Sequence, residues 1–112
     1  MTLQDEKLGD VWVIAPAGRI DTVTSPSLEQ AMSGAISAGE RRIVVDFGGV
    51  EYISSAGLRV LLVAARRLRD AAGRLVLCRL NDPVRQVFDL AGFLPLFAIE
   101  PSREGALARA AL

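Results

Sequence analysis

The residues best placed to do chemistry lie in one stretch, Asp46-Phe47-Gly48-Gly49-Val50-Glu51-Tyr52-Ile53-Ser54-Ser55-Ala56-Gly57-Leu58. The β-branched run Ile43-Val44-Val45 suits a buried strand that leads into it. Gly48-Gly49 breaks that strand. Leu58, Leu61, Leu62, Ala65 and Leu68 then recur at helical spacing, so Ser54-Ser55 open a helix. A helix start carries amide N–H groups without intrahelical partners and the positive end of the dipole, so it attracts anions, phosphate included. A serine hydroxyl there caps the helix or accepts a phosphoryl group, and capping is the commoner use. The glycine pair reads as a turn. It is not a nucleotide loop, because no G-x-x-x-x-G-K-[ST] pattern is present.

The rest of the chemical inventory is sparse. There is no His, which excludes His-bound metal and Ser–His or Cys–His nucleophile pairs. The single Cys78 excludes an intrachain disulfide and a multi-cysteine metal site. Carboxylates could act as acid and base, but no recognisable motif pairs them, so an enzyme is a poor reading. No cofactor is implied. Weak nucleotide binding is compatible with a helix start that attracts phosphate. Lys plus Arg and Asp plus Glu are both 13, so no basic excess points to nucleic acid or to a polybasic membrane surface. No uncharged run approaches the roughly 20 residues of a membrane span. The start, Met1-Thr2-Leu3-Gln4-Asp5-Glu6-Lys7, lacks the regions of a signal peptide. The expected location is the cytoplasm.

The elements that must position the serines follow from pattern. Leu3 to Leu8 and Val11 to Ala15 read as a hairpin across Gly9-Asp10, with Pro16 as a stop. Ser25 and Pro26 open a helix whose stripe is Leu28, Ala31, Met32, Ala35 and Ile36, ended by Gly39. Arg42 to Phe47 is a buried strand, and Gly73 closes the helix that starts at Ser54-Ser55. Leu75 to Cys78 is a further buried strand. Asp82 and Pro83 open a helix with Val84, Val87, Phe88 and Ala91 inward. Leu96 to Ile99 is a short strand, and Ser102 caps a last helix carrying Leu107, Ala110 and Ala111. The order β-β-α-β-α-β-α-β-α predicts one α/β domain over residues 1–112, with a mixed, mostly parallel sheet.

The serine stretch resembles the signature of the STAS domain family, of the bacterial anti-sigma-factor antagonist kind. Asp46, the spaced apolar pair Val50 and Ile53, Ser55, Gly57 and Leu58 occupy the signature positions. Gly18-Arg19-Ile20-Asp21 is similar to the family's loop before the first helix, and Pro83 to Phe88 to its third helix. The resemblance implies helices mainly on one face of the sheet and a binding protein without catalysis. It implies phosphorylation of Ser55 by a serine kinase that is also an anti-sigma factor. The unphosphorylated chain would hold that kinase and the phosphorylated chain would release it. Two positions depart from the family: Ser54 stands where Asp is common, as a second candidate acceptor, and Ala56 where Ser or Thr is common. The alternative is a STAS adaptor that is never phosphorylated, as in lipid-transport or stress-signalling complexes.

By the same resemblance Asp21 lies near the phosphosite, against the plainer reading of an Asx turn. Gly57 either admits a partner backbone or packs tightly on the strand ends. Arg59, with Arg66, Arg67 and Arg69, forms a solvated face or a docking surface; Arg59, just after Ser55, leans to partner contact. Asp46 is expected to bond the glycine loop. Trp12 is expected on the less covered side of the sheet, Phe93, Leu94 and Phe97 in the core under the last helix, and Cys78 buried.

Overall fold

A computed structural model describes all 112 residues. Strands β1 (Thr2–Leu8) and β2 (Val11–Ile20) form an antiparallel hairpin, with Gly9 at φ +61° in the turn. Strand β3 (Arg42–Asp46) pairs in parallel with Trp12–Ile14, and β4 (Gly49–Ile53) with Ala17–Ile20. The two therefore lie end to end along one side of β2. Pro16 does not stop β2: it falls in the gap between these partners, where the parallel ladder asks for no donor. Strands β5 (Arg74–Cys78) and β6 (Ala98–Glu100) complete a mixed sheet in the order β1-β2-β3-β5-β6, with β4 beside β2.

Strand β4 is an addition to the expected order, and the reason is local. Gly18 faces Val50 but Arg19 faces Tyr52, so the register shifts and Glu51 is the extra residue of a bulge. Val50 and Ile53 are thereby both buried although they are three residues apart and strand periodicity is two.

Helices α1 (Ser25–Ser37), α2 (Ser55–Asp70) and α3 (Asp82–Leu90) cover one face. Their Leu28, Met32, Leu58, Leu61, Leu68 and Phe88 pack on Ile14, Ile43, Val45 and Leu77. Helix α4 (Arg103–Ala111) covers part of the other face, with Ala106 and Ala110 on Val13, Val44, Val76 and the buried Cys78. Three helices against one is the expected one-sided arrangement. No helix is long and apolar enough to cross a membrane.

Several local expectations need correction. Trp12 lies on the three-helix side and is buried, with its indole N–H donating to Asp5 at 2.9 Å. Phe97 packs edge-on against Phe88 of α3 at 5.6 Å between ring centroids, so the Phe93–Phe97 segment sits beside α3 and not under α4. The α1 cap is Thr24, not Ser25, and the α3 cap is Asn81, not Asp82; Asn81 accepts from the Val84 amide at 2.8 Å. Ala91 is exposed. In α2 the buried stripe includes Val60 and Ala64, while Leu62 and Ala65 are half-buried, because α1 packs alongside. At the end of α2 the left-handed residue is Ala72, φ +59°; Gly73 is required instead by close approach, since a Cβ there would lie 2.5 Å from the Arg41 carbonyl oxygen.

Candidate functional site

The candidate site is the corner where β4 passes into α2. The Ser54 amide donates to the Ile20 carbonyl at 2.8 Å, which ties the helix start to the end of β2. Ser54 is extended (φ −95°, ψ 174°), as an N-cap residue should be, and its carbonyl accepts the first intrahelical bond from Leu58 at 3.0 Å. The amides of Ser55, Ala56 and Gly57 precede that bond and so belong to the free donors of the helix start.

The two serines differ sharply. The Ser54 hydroxyl is buried, caps nothing and has no hydrogen-bond partner. Ser55, the first residue of α2, is exposed. As a second candidate acceptor Ser54 is thus hidden in the folded chain.

Gly57 is buried in the first turn, and a Cβ there would lie 2.7 Å from Ile20 Cγ2 and 2.8 Å from Ile53 Cγ1. Tight packing on the strand ends thus gives this glycine a reason within the chain. Arg59 is exposed, one turn beyond Ser55, and makes no ion pair. Arg67 leaves the solvated face, donating to Ser33 Oγ at 2.9 Å and joining α2 to α1.

Asp21 follows directly on Ile20. Its Oδ1 accepts from the amides of Val23 and Thr24, both at 3.0 Å, and Thr24 Oγ1 in turn donates to the Arg19 carbonyl at 2.7 Å. This is the Asx turn. None of its hydrogen bonds goes to either serine. The Thr24 amide above all holds the carboxyl below the usual range, against some desolvation and helped by Val23 and Arg19, so Asp21 brings a negative charge to this edge of the sheet.

Pattern reading missed three neighbours. Arg19 stacks over the Tyr52 ring at 4.3 Å, and both are exposed, as is Val23 at 83%. The bulge is what turns Tyr52 outward, and a bulge leaves no clear mark in a single sequence.

A buried carboxylate lies at the end of β3. Asp46 is 2% exposed; its Oδ1 accepts from the Gly48 amide at 2.9 Å, the expected loop bond. Its Oδ2 accepts from Arg103 Nε at 2.9 Å and Arg79 Nη1 at 3.2 Å. Burial pushes its pKa up, but the Gly48 amide and the two arginines outweigh burial and hold it below the ordinary value. The neighbouring Cys78 thiol is pushed up to about 11, mainly by burial, and is unreactive at neutral pH.

Chemically, the corner offers an exposed serine at a helix start whose first amides have no intrahelical partner. It can receive a phosphoryl group and hold the charge.

The STAS domain family model matches residues 2–106. The chain is 42% identical over 96% of its length, and 93% of the relative's, to the Bordetella bronchiseptica protein BtrV, provisionally named an anti-sigma factor antagonist. Its fold superimposes on the anti-sigma factor antagonist SpoIIAA in the unphosphorylated form with a TM-score of 0.84, at 27% identity, covering 98% of this chain and 96% of the other. The phosphorylated form of the Bacillus protein gives 0.75, at 26% identity, with 96% and 98% covered. The chain belongs to the STAS domain family, among relatives named anti-sigma factor antagonists.

Proposed function

We propose that this chain is an anti-sigma factor antagonist that works by partner switching. Unphosphorylated, it binds an anti-sigma-factor serine kinase; phosphorylation of Ser55 releases it. The observation that carries the reading is the contrast at the start of α2: Ser55 is an exposed residue and the Ser54 hydroxyl is buried. The names of the relatives, and the existence of SpoIIAA in both phosphorylation states, support it. Asp21 and Arg59 are the charged members of the contact surface in this reading, and Ser54 shapes the backbone beneath it.

A phosphate adds about 1.5–2 negative charges and three acceptor oxygens. At an exposed helix N-terminus that charge is favourable by about 0.3–1 kcal/mol. Asp21, already ionised, opposes part of the gain. Phosphorylation therefore leaves the domain folded, and control acts at the interface. A partner surface that closes over a neutral hydroxyl would have to desolvate a near-dianion. A loss of about 1–3 kcal/mol, or roughly 5- to 150-fold in affinity, suffices to exchange partners.

The test is phosphopeptide mass spectrometry after incubation with the cognate kinase and ATP, with binding of the same kinase to variants. Phosphate on Ser55 is expected; Ser55→Asp stays folded and loses the kinase, and Ser55→Ala stays folded and binds constitutively. Phosphate on Ser54 alone, or on neither serine, would transfer the assignment to an adaptor that is not switched.

A further inference from the structure

The opposite half of α2 carries a feature that the serine corner does not use. Between the C-terminal half of α2, the start of β5 and the turn at Leu94–Leu96 runs a groove of about 340 Å³. Its floor is apolar: Leu62 and Phe97 are half-buried, and Leu96 is 53% exposed. Its rim is three exposed arginines, Arg66, Arg69 and Arg74, and none of them pairs with a carboxylate of this chain. The Arg74 guanidinium donates only to the Arg109 carbonyl, at 3.3 Å. Asp70 is the adjacent exposed acid on α2, and it too forms no ion pair.

In a chain of zero net charge this is a local excess of cations around an apolar slot. Arg69 also lies in the last turn of α2, where it complements the helix dipole. The dipole does not account for Arg74, which lies outside the helix, or for the exposed Leu96. Arg66 stands about 16 Å along the helix axis from Ser55. The groove is thus a separate surface.

We propose that this groove docks an acidic segment with leucine or aromatic anchors, contributed by a protein partner, and that docking there does not depend on the state of Ser55. Charge complementarity selects the acids and the floor selects the anchors. A bilayer fits less well, because a concave slot does not meet a flat surface and clusters of about 4–8 basic residues mark anionic-lipid sites. Nucleic acid fits less well, because the arginines have no exposed aromatic among them to stack on a base.

The probe is a synthetic 16-residue helical peptide with leucine at every third or fourth position and glutamate elsewhere, titrated into the isotope-labelled full chain. Amide shifts are expected at Leu62, Arg66, Arg69 and Leu96. The double variant Arg66→Glu/Arg69→Glu should weaken binding at least tenfold, and Leu96→Gln about fivefold, with both variants folded by circular dichroism. Ser55→Asp should change the affinity less than twofold. Shifts centred on Ser55, equal binding of a sequence-scrambled peptide, or binding of phosphatidylserine vesicles without binding of the peptide would each overturn the proposal.

Discussion

Two corners at the carboxyl edge of the sheet handle polar groups in opposite ways. At the end of β3, Asp46 is buried and both its oxygens are occupied, by the Gly48 amide, Arg79 and Arg103; Arg103 reaches on to Glu6 at 2.7 Å. At the end of β4, whose last pair Ile20–Ile53 lies six residues further along β2 than the Ile14–Val45 pair of β3, the Ser54 hydroxyl bonds nothing, Ser55 faces solvent and the first amides of α2 are free. The first corner spends its hydrogen-bonding capacity inside the chain. The second leaves part of that capacity unused within the chain. Saturated charge holds strands β1, β3, β5 and helix α4 together, and an unsaturated helix start is where a phosphate can be added at little structural cost.

The comparison predicts that changes within packed or saturated groups cost stability, and that changes to the serines do not. The largest effect is at Gly57. A side chain there must displace Ile20 and Ile53, which approach from two strands, so overpacking outweighs the better helix propensity. Gly57→Leu should lose about 3 kcal/mol in urea unfolding. Unchanged stability with weakened kinase binding would return Gly57 to the interface.

Asp46 is next. Asp46→Asn keeps an acceptor for the Gly48 amide but takes the counter-charge from two arginines. Those arginines are partly exposed and regain water, so the loss should be about 2 kcal/mol at pH 7. The pH dependence has a definite sign. The Asp46 pKa is lower folded than unfolded, so its contribution is complete above the unfolded value of about 3.9 and disappears as pH falls through the folded value. The gap between wild type and Asp46→Asn should therefore begin to narrow near about pH 4 and close only as the pH falls below the folded value. A gap that persists there would show that shape, not charge, makes the corner rigid.

How far the sequence reveals all this depends on which signal each feature leaves. Helical stripes and β-branched runs, with the Ser102 cap for the last helix, made all four helices and the central strands legible, because periodicity reports burial directly. Val50 and Ile53 were recognisable as a pair only by resemblance; as a strand they violate the period of two until Glu51 is seen to bulge. Pro16 misled in the same way, since its tolerance depends on where β2 changes partners. At the site, Ser54 and Ser55 are chemically identical in the sequence. One is buried and one exposed because the Ser54 amide is pinned to Ile20, a contact made across the sheet. The Arg79 and Arg103 partners of Asp46 come from distant segments and leave no local pattern at all.

A smaller and opposite effect is expected at Ala72. A left-handed alanine is strained where glycine is not. Ala72→Gly should gain about 0.5 kcal/mol after the greater freedom of glycine in the unfolded chain is deducted, which is a rise of about 2 °C in Tm. The substitution lies at the far end of α2 from the serines and should leave phosphorylation of Ser55 unchanged.

The smallest effect is at Ser54, and it discriminates most finely between the corners. Replacing a serine N-cap by alanine ordinarily costs about 1 kcal/mol, because the hydroxyl accepts a bond from the second or third helical amide. Here that bond is not made, and the hydroxyl is buried without any partner. Removing it deletes an unsatisfied polar group, which offsets whatever small packing contact is lost. Ser54→Ala should therefore change unfolding stability by less than about 0.5 kcal/mol. It should still accept phosphate on Ser55 at the wild-type rate. A loss of about 1 kcal/mol would mean that the hydroxyl caps α2 in solution and that the helix start is already saturated, like the Asp46 corner. A slowed phosphorylation at unchanged stability would mean something else: that Ser54 swings out to meet the kinase, and that the uncommitted hydroxyl is held for the partner.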